Sequence, residues 1–137
     1  MASKTFEYLF TANLHDIDAA GAMFFAHYFR HAHDAYETFM VKIGYGLPEL
    51  IGNLSMLPLV RSEADFLLPA HHGEQLTINL QLERIGNTSF TVSYRFLNPR
   101  GQETAQLKTT HVMLNPEDGK PMTLPETLRN ALTEYAA

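Results

Sequence analysis

The sequence predicts an α+β fold in which one long helix packs on a face of an antiparallel sheet. Three observations predict it. A single stretch of about twenty residues carries a helical apolar period, the other ordered stretches alternate apolar with polar residues, and the later strands are joined by turns of a few residues. Parallel βαβ crossovers each need a dozen residues or more, so turns this short exclude a run of them.

In chain order, residues 5–13 alternate, with Phe6, Tyr8 and Phe10 on one face and Glu7 and Thr11 on the other, as in a half-buried strand. Residues 14–21 carry two Asp and a Gly, a loop composition. From about 22 to 43, Phe25, Phe29, Ala32, Tyr36, Phe39 and Ile43 recur at three- or four-residue steps. Gly44, Gly46 and Pro48 end this helix, and an irregular stretch (44–55) follows. Residues 57–68 read as a strand stopped by Pro69 and Gly73. Gln75 to Ile85 turns Leu76, Ile78, Leu80 and Leu82 inward, and Gly86-Asn87 reverses it into Phe90, Val92, Tyr94 and Phe96. Asn98 to Gly101 is the next turn, and Thr104 to Leu114 the last of five strands. Pro125 is expected at the first position of a short closing helix.

A chain of 137 residues is room for one domain, 1–137, with a substantial core. Apolar residues at 45% and charged residues at 18% are a globular composition. The net charge of −5 argues against binding a phosphate backbone, so no nucleic-acid partner is expected. The absence of Cys removes disulfides, thiolate metal sites and thiol nucleophiles. No leader-like apolar segment and no run of about 20 apolar residues occurs, so a cytoplasmic protein without a membrane segment is expected.

The chemistry concentrates in His15-Asp16-Ile17-Asp18-Ala19-Ala20-Gly21, where two carboxylates stand just before the long helix. Two roles are open to them. Asp is a favoured helix cap, worth about 0.5–2 kcal/mol. Alternatively, Ala19, Ala20 and Gly21 admit a ligand close to the backbone, and the free N–H groups near Phe24 and Phe25 polarise its carbonyl. A carboxylate facing those donors then attacks the carbonyl or activates a water. Asp16, further from the helix, is expected to orient the loop by accepting backbone hydrogen bonds, each worth roughly 1 kcal/mol.

His27 and His31 stand at the i,i+4 spacing of a zinc pair, but Tyr28 replaces the following Glu and no third ligand is evident. These His therefore read as polar pocket lining, and neither metal nor cofactor is expected. No Ser lies in a Gly-x-Ser-x-Gly context, and no Gly-rich phosphate loop occurs.

Asp16-Ile-Asp18-Ala-Ala-Gly21 with Tyr28 beyond it resembles the Asp-x-Asp-x-x-Gly signature of hot-dog-fold acyl-CoA thioesterases of the hydroxybenzoyl-CoA thioesterase type. Asp65-Phe66, Pro69 and Gly73-Glu-Gln-Leu76 resemble that family's second block, and His111-Val-Met-Leu114 with Gly119-Lys-Pro121 its last strand and tail. His33-Asp-Ala-Tyr-Glu37, Leu57-Pro-Leu-Val60 and Pro69-Ala-His71 are similar to the dihydroxynaphthoyl-CoA hydrolases. The resemblance implies an acyl-CoA thioesterase acting on an aromatic acyl group, on a five-stranded sheet with one long helix, assembled as a dimer or tetramer joined at sheet edges. It implies Asp18 as the catalytic carboxylate and the Phe25 backbone N–H as the carbonyl-polarising donor, with Gly21, Phe24, His27, His33 and Pro58 against the substrate. Related enzymes commonly have Glu and Arg around 33–36, where this chain has His33, Asp34 and Tyr36. A hot-dog dehydratase drawing on His27 or His33, and a non-catalytic acyl-binding protein, are the competing readings.

Overall fold

The computed structural model describes residues 3–48 and 56–137. Its elements are β1 (Phe6–Thr11), a 3-10 turn (Leu14–Asp16), α1 (Phe25–Lys42), β2 (Leu59–Phe66), β3 (Gln75–Ile85), β4 (Ser89–Leu97), β5 (Glu103–Val112) and α2 (Glu126–Thr133). The strands form one antiparallel sheet in the order β1-β3-β4-β5-β2. The chain therefore leaves β1 at one edge, crosses the sheet through α1 and re-enters at the opposite edge as β2.

Alternation decides which face meets the helix. Leu76, Ile78, Leu80 and Leu82 of β3 and Phe90, Val92, Tyr94 and Phe96 of β4 are all buried on the face that α1 and α2 cover. The long helix answers with Tyr28, Ala32, Ala35, Tyr36, Phe39 and Met40. Aromatic contacts, Phe6 tilted on Phe39 at 5.5 Å and Tyr28 edge-on to Phe96 at 5.1 Å, fix its position over the sheet.

α1 begins at Phe25, three residues later than the apolar period indicates. The backbone of Ala22 and Met23 is already engaged: Met23 N–H donates to Ala70 C=O at 2.8 Å, and Ala22 C=O accepts from Asp18 N–H at 2.9 Å. The helix ends at Lys42 in a Schellman motif, with Gly44 N–H on Val41 C=O and Tyr45 N–H on Met40 C=O. This places Gly44 at φ +89, a conformation that glycine adopts without steric cost. β2 is shorter than the expected 57–68, because Leu67 and Leu68 N–H both turn to Thr104 C=O. Pro125 stands one position before the helix and not in it: its backbone is extended (ψ 146), and its carbonyl accepts the N–H of Arg129. Of the expected irregular stretch, residues 49–55 lie outside the described residues.

The strands β1 and β2 are the sheet edges, and β2 stands out. Seven of its eight residues are exposed, among them Leu59, Val60 and Phe66. Among the described residues, no helix is long and apolar enough to cross a membrane.

Candidate active site

The loop between β1 and α1 folds back on itself. Asp18 N–H donates to Ala22 C=O, Gly21 N–H donates to Asp18 C=O at 3.0 Å, and Ile17 bridges Met23. Gly21 sits at φ +85, where a side chain is strained. The turn thus favours glycine at position 21 for its own geometry, and Ala19, Ala20 and Gly21 lie on its exposed outside. The Asp18 carboxylate is held within it: Oδ1 accepts Ala20 N–H at 2.9 Å and Ala22 N–H at 3.3 Å. Oδ2 accepts no hydrogen bond among the described residues.

Asp18 opens onto a cleft of about 430 Å³ whose other lining residues are Met23, Phe24, Phe25, Tyr28, Phe66, Leu67, Leu68 and Pro69. It is the only charged group on an otherwise apolar and aromatic wall. Two backbone amides at the entry to α1 are spent, Phe24 N–H on Asp16 C=O and His27 N–H on Phe24 C=O. The N–H of Phe25, the first helical residue, has no acceptor among the described residues. A carboxylate and an unspent helix-terminal donor therefore border one apolar cleft.

Asp16 has a different fate. Its side chain is fully buried, accepting the Asn13 N–H at 3.0 Å, a hydrogen bond from Arg30 and one from His31 Nε2 at 3.1 Å. Burial raises the Asp16 pKa, but the Asn13 hydrogen bond and the charges of His31 and Arg30 outweigh it, and the net shift is downward. Burial also pushes His31 below its ordinary value, against the upward pull of Asp16. His31, stacked on Phe10 at 3.8 Å, is therefore a structural partner of Asp16 and is not part of the cleft lining. His27 lies edge-on to Phe24 at 5.9 Å, outside the cleft lining. Among the described residues, no group of three His, Asp or Glu comes together to hold a metal ion.

Of the other expected substrate contacts, Phe24 is in the cleft and Gly21 shapes the turn. Pro58 is exposed, and its carbonyl ties β2 to β5 through Val112 N–H. His33 lines a second cavity, of about 150 Å³, with Phe29, Leu59, Ser62, Tyr94, Thr109 and His111. On its floor Tyr94 OH and Thr109 Oγ1 lie 2.7 Å apart, and Thr109 Oγ1 lies 3.0 Å from His111 Nε2. This hydroxyl chain escaped the sequence reading; the only sign of it was the inward alternation of Leu107, Thr109 and His111 on β5.

Burial pushes His111 down to about 4, with a small upward pull from the Leu57 backbone and a downward one from His33. The unfolded imidazole takes up a proton near 6.5 and the folded one does not until about 4. Stability is thus complete above 6.5 and drains as pH falls towards 4, by roughly 3 kcal/mol. Urea unfolding at pH 7 and pH 4 should show this loss in the parent and a correspondingly smaller one in His111→Asn. Equal losses in both proteins would show that His111 does not set the acid limb.

A long helix laid across a five-stranded antiparallel sheet, with a carboxylate in the loop before the helix, defines the hot-dog thioesterase class. The chain belongs to the Thioesterase-like superfamily, whose family model matches residues 12–132. It is 35% identical over 136 residues to a 1,4-dihydroxy-2-naphthoyl-CoA hydrolase of Picosynechococcus, covering 92% of this chain and 93% of that one. It is 31% identical over 125 residues to the enzyme of the same name from Rippkaea orientalis, covering 89% of this chain and 91% of the relative. A solved 1,4-dihydroxy-2-naphthoyl-CoA thioesterase from Synechocystis superposes with a TM-score of 0.87 at 30% identity, covering 95% of this chain and 96% of that one. By family and fold the chain is a thioesterase of the acyl-CoA type.

Proposed function

We propose that this protein hydrolyses an aromatic acyl-CoA, 1,4-dihydroxy-2-naphthoyl-CoA, using Asp18 and the Phe25 backbone N–H. The observation that carries the reading is that both groups border one apolar, aromatic cleft. A flat aryl group suits walls of Phe24, Phe25, Tyr28 and Phe66. The thioester carbonyl oxygen accepts the Phe25 N–H, which stabilises the charge that develops as the carbonyl carbon is attacked. Asp18 supplies the attack, directly or by taking a proton from water. Either way the C–S bond breaks, CoA leaves as thiolate and water is consumed to give the free acid. A dehydratase would need a His beside Asp18, and none lines the cleft among the described residues.

The test is a panel of aromatic and aliphatic acyl-CoA thioesters, with thiol release followed colorimetrically. Turnover favouring aryl thioesters is expected; exclusive turnover of aliphatic thioesters refutes the aromatic assignment. Loss of absorbance from an enoyl-CoA without thiol release would instead support a dehydratase.

We also assign a homodimer or tetramer built on the β2 edge. An exposed edge strand carrying Leu59, Val60 and Phe66 offers unpaired backbone groups and apolar area together. Phe66 also lines the cleft, so a second copy paired there would stand beside the site. Light scattering at micromolar concentration should give the mass of two or four chains, and a monomer would refute the assignment.

A further inference from the structure

We infer that the cavity between α1 and the β2–β5 edge is a subsite for the aryl group, and that the Tyr94–Thr109–His111 chain on its floor selects rings bearing a hydroxyl. The inference rests on the aromatic reading above and adds which feature of the ring is recognised and by which side chains.

Position comes first. Phe25 and Tyr28 line the cleft, and Phe29, one turn beyond Phe25, lines the cavity. Across the seam, Phe66 lines the cleft and Ser62 the cavity. Both belong to the sheet face under α1, since Ser62 pairs with inward Thr109 and Phe66 with inward Ala105. The offset is about 6 Å along the helix and about 13 Å along the strand. A fused aromatic group whose carbonyl lies at Phe25 N–H and whose ring follows α1 points along this seam towards the cavity.

Size and chemistry agree with this. A space of about 150 Å³ is roughly what one benzene ring needs. An empty apolar pocket would suit any ring, but this one is floored by polar atoms. Tyr94, Thr109 and His111 are 1%, 6% and 2% exposed, and His111 Nδ1 has no hydrogen bond of ordinary geometry among the described residues. The floor is also rigid: His111 is stacked on Tyr36 at 4.1 Å with 4° between the planes, and on Phe90 at 5.5 Å. Two hydroxyls and one imidazole nitrogen in a chain leave hydroxyl lone pairs unspent, and Ser62 and His33 add groups at the wall. A ring hydroxyl both donates and accepts, so it satisfies such a floor. A bare ring offers those spare lone pairs no donor, and a site built around a hydroxyl discriminates against the analogue lacking it.

The test compares parent, Thr109→Val and Thr109→Ser on 1,4-dihydroxy-2-naphthoyl-CoA and on 2-naphthoyl-CoA, with melting curves for each protein. Thr109→Val is close in shape and lacks the hydroxyl. It should lower kcat/KM on the hydroxylated thioester by about 10-fold or more and leave the plain one within about 3-fold. Thr109→Ser should keep the parental ratio. An equal fall on both substrates, or no change on either, overturns the proposal. A second arm needs no turnover: binding of 1-naphthol and of naphthalene to the parent and Thr109→Val, followed by tyrosine fluorescence or NMR. The parent should prefer 1-naphthol about 10-fold or more, and Thr109→Val should lose the preference. Should the parent cleave only aliphatic thioesters, the aromatic function fails while this arm still judges the cavity. Equal parental binding of the two probes overturns the subsite whatever the turnover.

Discussion

Replacing Asp18 by Asn is expected to lower kcat by about 10²-fold or more while KM stays within a few-fold. The reason lies in what the amide keeps and what it loses. Its oxygen still accepts the Ala20 and Ala22 N–H groups that hold Oδ1 at 2.9 and 3.3 Å, so the turn and the cleft wall survive. The anionic oxygen left unbonded, the one able to attack or to take a proton, becomes an NH₂ group that can do neither. Thioester binding rests on the aromatic walls and is little altered, so the loss falls on the chemical step. Kinetics on the best thioester of the panel, with the melting temperature measured alongside, decide the matter. A folded Asp18→Asn with near-parental kcat would show that another group does the chemistry.

Fold and site were legible to different depths for physical reasons. The sheet declares itself because one face is buried: a period of two in β3 and β4 follows directly from Leu76 to Leu82 and Phe90 to Phe96 pointing under the helices. The strand order declares nothing locally, because pairing β1 with β3 and β2 with β5 joins segments far apart in sequence. The start of α1 was misjudged because Ala22 and Met23 continue the apolar run, while their backbone bonds go to Asp18 and Ala70. Asp18 was visible as part of a compact local motif. Arg30, the partner of Asp16, was not, since nothing about an Arg on an exposed helix position signals a buried carboxylate 14 residues earlier. The floor of the second cavity was equally hidden: Tyr94 lies opposite Leu107, and Thr109 becomes its diagonal neighbour only once the β4–β5 register is known.

Asp16→Asn is expected to cost about 3 kcal/mol, several times the single loop hydrogen bond foreseen from sequence. The carboxylate is wholly buried and receives donors from Asn13, Arg30 and His31, three groups on two elements. An amide offers one acceptor atom and turns an NH₂ towards donors, leaving at least one of the three opposed and unsatisfied. For a chain of 137 residues the loss corresponds to a melting temperature lower by roughly 10 °C. The acid limb should change as well. The Asp16 pKa is held down in the folded state, so its contribution is present above the ordinary carboxylate range and lost as pH falls through the lowered value. Asp16→Asn should lack that part of the loss. Activity should fall less than stability, because Asp16 reaches the cleft only through its backbone carbonyl, which accepts Phe24 N–H at 2.9 Å and so anchors the entry to α1. Well below its melting point, the folded variant should retain kcat within about 10-fold of the parent. Thermal melts across pH 3–8, paired with kinetics at low temperature, separate the two roles. A variant with parental stability would show that the buried triad does not hold the loop, and one that is stable but inactive would make Asp16, and not Asp18, the reacting carboxylate.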